Sequence, residues 1–157
     1  MAEHMLWTFA RALRQAIEDR EIDHIAALLD DDVDWAIYGP IDMFPFLGAR
    51  QGKEAVIDVL MQIADNFRLN KFDREMTMLG EDSASTLVKC SLTANDNDKS
   101  ISLRLANFVR FNRGRLAKLR VVMDTFDLVE QTLGRTIKSA GSDQLLVVRF
   151  EHPHPLR

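Results

Sequence analysis

At 157 residues the chain is long enough for one sheet and a few helices around a single core. Its 46% hydrophobic and 28% charged content fits a globular domain, no apolar run approaches the roughly 20 residues of a membrane span, and the start MAEHMLWTFARAL lacks a secretory-signal pattern, so the expected compartment is the cytoplasm. A net charge of -4 argues against a general nucleic-acid binder, and a single cysteine, Cys90, excludes an internal disulfide and a cysteine-cage zinc site.

In chain order, Leu6, Phe9, Ala10, Leu13 and Ile17 recur at helical spacing and predict an amphipathic helix over 6–19. A short second helix carries Ile22, Ile25, Leu28 and Leu29, and Asp30-Asp31-Asp32 is expected to end it, because carboxylates oppose the negative end of a helix dipole. Val33, Trp35 and Ile37 then alternate with Asp34, Ala36 and Tyr38 as a first strand. The segment 39–52, GPIDMFPFLGARQG, holds more large apolar residues than a solvated loop needs, so it is expected to cover something. A third helix over about 53–67 buries Val56, Ile57, Leu60, Ile63, Ala64 and Phe67.

Four extended segments follow, near 69–79, 84–94, 99–112 and 115–125, divided by short turns at 80–82, 95–98 and 112–114. Consecutive strands with short turns are antiparallel hairpins, and the whole reads as α+β, with helices packed on one side of a curved sheet. Within 99–112, Ile101, Leu103, Leu105, Val109 and Phe111 share one face, and Asn107 sits among them. A strand repeats every two residues, so this amide points toward whatever its apolar neighbours bury, which suggests a lined pocket. The local basic stretch of Arg104, Arg110, Arg113, Arg115, Lys118 and Arg120 lies mostly on the opposite face, as a solvated surface, a subunit contact or an anion site.

Asp124 follows a strand face of Leu119, Val121 and Met123 with the wrong parity for that face, so it is open to three readings: cap of a short helix through Gly134, pocket acid after a bulge, or surface charge. His152 and His154 lack a third ligand nearby, and no metal site is expected. No Gly-rich phosphate loop, nucleophile elbow or zinc-protease motif is present. Residues 135–157 form an extension expected to dock on the domain 1–134 or on a partner subunit, with a possible strand at 145–150.

Asp31-Asp32-Val33-Asp34-Trp35, the passage from Pro45-Phe46-Leu47-Gly48 to Gly52-Lys53-Glu54-Ala55-Val56, and Phe108 to Asp124 with its Arg-Phe-Asn-Arg-Gly turn stand in an order that resembles the NTF2-like superfamily. Within it they are similar to the SnoaL-like group of polyketide cyclases and ketosteroid isomerases, over about residues 8–133. The resemblance implies a cone in which a strongly curved, mostly antiparallel sheet wraps the N-terminal helices and leaves an apolar cavity, fringed by 39–52. It also implies a homodimer, a small hydrophobic ligand and chemistry without a cofactor.

The chain departs from that pattern where the isomerases keep their acids. Ile37 stands at the position of the isomerases' general base and Asn107 at that of their second acid, their helix-1 tyrosine has no counterpart, and Val121 stands where many sequences related to the SnoaL-like cyclases have a glutamate or similar residue. An isomerase dyad is therefore not expected. The candidates that remain are Asp124, Asn107 and Asp34 for proton transfer or carbonyl orientation, and Trp35, Tyr38, Phe44, Phe46, Val109, Val121 and Met123 for lining the pocket. Two functions follow: cofactor-free isomerase, cyclase or dehydratase chemistry on a small apolar molecule, or a non-catalytic module that binds a ligand or a protein.

Overall fold

The computed structural model describes residues 3–134. Helix α1 spans Met5–Glu18, α2 Asp23–Leu28, α3 Lys53–Asn66 and α4 Thr125–Leu133. The strands are β1 (Leu29–Ile37), β2 (Gly48–Gln51), β3 (Phe67–Leu79), β4 (Ser83–Ala94), β5 (Ser100–Asn112) and β6 (Arg115–Met123). They form one curved mixed sheet in the order β2-β1-β6-β5-β4-β3. β1 runs parallel to β6 and every other neighbouring pair is antiparallel.

Each element follows from its pattern. α1 buries Leu6, Phe9, Ala12 and Ala16, and His4 caps its first turn by accepting the Leu6 N–H at 3.0 Å. α3 buries Val56, Val59 and Leu60 against the same inner side of the sheet. The β5–β6 turn places Arg113 at φ 53° and Gly114 at φ 76°; two successive left-handed residues give a tight hairpin whose twist matches its strands. Alternation then puts Val88, Leu105, Cys90 and Leu103 inside, and Met76, Leu87, Ala106 and Val122 opposite one another on the outer face.

Three expectations are corrected. α2 ends at Leu28, and the aspartate triplet lies inside β1 rather than beyond a helix end. Its side chains reach solvent, Asp30 accepts the Asp32 N–H at 2.9 Å, and the β1–β6 register shifts between Leu29 and Asp34, so a local irregularity accommodates the charges. The segment 39–52 is not all loop: Gly48–Gln51 returns along β1 as β2, with Ile37 opposite Gly48, and the Gln51 amide donates to the Asp32 carbonyl at 2.7 Å. β3 starts at Phe67, where α3 was expected to end. The readings for 135–157, including the strand at 145–150 and the two C-terminal histidines, lie outside the described residues. Among the described residues no helix is long and apolar enough to cross a membrane.

Candidate functional site

Between α1, α3 and the concave face of the sheet lies a cavity of about 220 Å³. One wall is α1, through Phe9, Ala10, Leu13 and Ile17; another is α3, through Leu60 and Ile63; the floor is the inner face of β3 to β6. The apolar residues of the β1–β2 connection fold over one end. Phe44, Phe46 and Phe67 pack ring on ring with centroids 5.8 to 6.1 Å apart, so this segment closes apolar space instead of meeting solvent.

The structure divides the residues singled out in the sequence into two groups. Asn107, Trp35, Phe44, Phe46, Val109, Val121 and Met123 all line the cavity. Tyr38 does not: Ile37 points in, so the next residue of the chain points out, and the phenol is 52% exposed. Asp34 also lies off the cavity, on the outer face, where the Arg120 guanidinium bonds its carboxylate at 3.0 Å and its carbonyl at 3.2 Å. That hydrogen bond holds the Asp34 carboxyl below the usual carboxylate range, which weakens it as a proton acceptor. Asp124 takes the capping geometry: its Oδ1 accepts the Asp127 N–H at 3.0 Å at the start of α4, and it is absent from the cavity lining.

Inside, polar groups are few. Asn107 and Thr86 stand opposite each other on β5 and β4, and the Asn107 amide donates to the Thr86 hydroxyl at 3.2 Å. The Thr86 hydroxyl keeps its own proton to donate, and the amide keeps its carbonyl to accept. Trp35 is 2% exposed, and its indole N–H is buried with no acceptor among the described residues. A buried donor left without a partner costs about 1–3 kcal/mol, and native interiors hold few such groups. Cys90 also lines the cavity, and burial pushes its thiol up to about 11, so it is present as the neutral thiol.

Two lining residues were not legible in the sequence as site residues. Arg14, on α1, and Arg74, on β3, both line the cavity and are partly or largely exposed. β3 shifts register between Leu69 and Lys71 and again between Arg74 and Met76, so simple alternation along this strand misplaces its faces. Among the described residues no carboxylate, lysine or histidine lines the cavity, and no three His, Cys, Asp or Glu side chains are grouped to hold a metal ion.

The fold and this interior define the class. A family profile for the SnoaL-like domain matches residues 10–119, and the chain belongs to that family. Among solved structures, a candidate isomerase from Rhodopseudomonas palustris is 58% identical with a TM-score of 0.84, covering 86% of this chain and 100% of its own. An NTF2-like protein of unknown function from Burkholderia pseudomallei is 20% identical (TM-score 0.68, 82% and 98% covered). An M. tuberculosis epoxide hydrolase described as LEH-like is 15% identical (TM-score 0.62, 90% and 93% covered). The last two speak to the fold alone. The comparison with curated proteins returned no match.

Proposed function

We propose that this SnoaL-like protein takes a small, mostly apolar molecule into the cavity and orients one oxygen of it with the polar groups on the floor. The observation that carries this reading is the Asn107–Thr86 pair in a cavity that is otherwise almost wholly apolar among the described residues, with the Thr86 hydroxyl proton and the Asn107 carbonyl left to bond a ligand. An oxygen acceptor on the ligand would take the proton that the Thr86 hydroxyl has left to donate. Burial away from water would strengthen each of those bonds, as expected at a low local dielectric.

The volume sets the ligand's scale. An engineered apolar cavity of about 150 Å³ takes benzene, and drug-sized ligands occupy roughly 300 Å³ and more. About 220 Å³ therefore suits one ring and a short chain.

A second reading, isomerisation by proton transfer, is favoured by the likeness to the R. palustris candidate isomerase. It needs a proton acceptor, and Asp124, which follows the lining residue Met123 in the chain, is the carboxylate to test.

The test is titration of ¹⁵N-labelled protein with acetophenone, reading the Trp35 indole N–H, assigned with a Trp7→Phe variant. Under the binding reading that resonance, on a side chain that lines the cavity, shifts and saturates, and the response weakens in Asn107→Leu. A signal unmoved by acetophenone and by longer aryl ketones would remove the reading.

A further inference from the structure

The chemistry at the rim of the cavity differs from that of its floor. Among the described lining residues Arg74 is the most exposed as a whole, so its guanidinium stands where the lining meets solvent. The group is held by aromatic faces: its Cζ stands 5.0 Å from the Trp7 ring centroid and 5.6 Å from that of Phe72. Arg14, from α1, approaches the same Phe72 ring at 5.8 Å. The two cations are not equivalent. Arg14 donates through Nε and Nη2 to Glu18 at 3.2 and 3.0 Å, whereas Arg74 has no carboxylate within 4.0 Å among the described residues. Stacking on rings fixes the position of a guanidinium and leaves its in-plane N–H donors open.

Resting on the reading that the cavity binds a small apolar molecule, we propose that the ligand is a monocarboxylate: its apolar body fills the cavity and its carboxylate meets the Arg74 guanidinium, with Arg14 as a second, weaker cation. Three observations converge on this class. The planar fork of an arginine matches a carboxylate through two parallel hydrogen bonds. Among the described residues no acidic side chain lines the cavity to repel an anion, and two cations do line it. The register then sets the span. Arg74 pairs across the sheet with Val88, and Val88 with Leu105; Thr86 and Asn107 form the next inward-facing row of β4 and β5. The rim cation and the interior amide are thus one inward row and two strands apart, roughly 12 Å between backbones, a gap that the long arginine side chain, a few carbon–carbon bonds of ligand and the Asn107 amide span together. An aryl keto acid, with its carboxylate at Arg74, its ketone oxygen at the interior polar pair and its ring in the apolar space, fits both this span and a volume of about 220 Å³.

The experiment compares 3-benzoylpropanoate with 3-benzoylpropanamide, which match in shape, keep the ketone oxygen and differ in charge, by titration calorimetry on the full chain at low and high salt. The expected result is roughly tenfold tighter binding of the acid at low salt, the preference shrinking as salt screens the rim. Arg74→Gln is expected to bring acid and amide to equal affinity, Arg74→Lys to keep most of the preference, and Arg14→Gln to reduce it less than Arg74→Gln does. Equal binding of acid and amide to the unaltered protein would overturn the proposal while leaving the apolar cavity in place. An acid preference that survives in Arg74→Gln would overturn the assignment to Arg74. Binding of neither compound would overturn this proposal together with the reading of the cavity on which it rests.

Discussion

The two faces of the sheet treat charge in opposite ways. Outside, Arg104 bonds Glu75 at 2.6 Å and Arg120 bonds Asp34 at 3.0 Å, and in both pairs the guanidinium lowers the carboxyl below its ordinary range. Inside, the polar groups are a neutral amide and hydroxyl, an indole N–H and a thiol that burial keeps protonated, with a cation lacking a carboxylate only at the rim. The same alternation along β5 and β6 produces both faces, so the difference lies in residue choice and not in backbone. Ionised acids stay where water and arginine stabilise them, and the interior keeps groups whose desolvation is tolerable when an acceptor or donor arrives. This contrast favours a binding cavity over a site built around a buried base.

The largest expected effect separates tightly packed interior from cavity wall. Leu116 is wholly buried and does not line the cavity. Leu116→Ala should cost about 4 kcal/mol in chemical denaturation, since removed contacts leave a new void. Leu105, a half-buried lining residue, already faces empty space on one side, so Leu105→Ala should cost about 2 kcal/mol or less. Equal losses would mean that the cavity wall is packed as densely as the rest of the core.

Next in size is the thiol. With the Cys90 thiol raised from 9.0 to about 11, its thiolate at pH 8 is about a hundredfold scarcer than in the unfolded chain. Iodoacetamide followed by mass spectrometry should label the folded protein at least about a hundredfold more slowly than the denatured one. Rapid labelling in the folded state would show that the inner face is wetter and more polar than its lining implies.

Asp124 tests whether a carboxylate serves the inside or only an element end. Asp124→Ala removes the cap on α4 and should cost about 1 kcal/mol, whereas Asp124→Asn, which still caps, should be close to neutral. If a substrate is found whose turnover falls in Asp124→Asn without loss of stability, the residue acts on a proton and the isomerase reading gains its base.

How far the sequence foretold these faces depended on the regularity of each strand. β4 and β5 pair without a register shift, so their uninterrupted alternation makes the inward orientation of Asn107 and Cys90 legible from spacing alone. β3 was opaque for the converse reason: two register shifts reset its parity, and Arg74 reads as one more surface charge until the pairing is seen. β1 was misjudged at its start because a triplet of aspartates looks like a helix end, although solvated edges of a strand accept it as well. The parallel β1–β6 pair and the four-residue β2 arise from contacts between distant segments and carry little local signal. The capping role of Asp124 stood among three readings because parity at a strand end is undefined without the helix that follows.

The smallest effect lies in the outer ion pair and depends on pH. Because Arg120 lowers the Asp34 carboxyl in the folded protein, the unfolded chain takes up this proton first as pH falls. The stabilisation is therefore complete above the unfolded value of about 3.9 and is lost as pH drops through the lower folded value. The Asp34 side chain is 43% exposed, so solvent screening limits the pair to roughly 0.2–1 kcal/mol. Asp34→Asn should destabilise by that amount at pH 7, and its stability difference from the unaltered protein should vanish near pH 2. Raising salt should shrink the difference at pH 7. A loss at pH 7 well above about 1 kcal/mol, or one that persists at low pH, would mean that Asp34 acts through more than its arginine, and the contrast between a charge-compensated outer face and a largely uncharged interior would need to be redrawn.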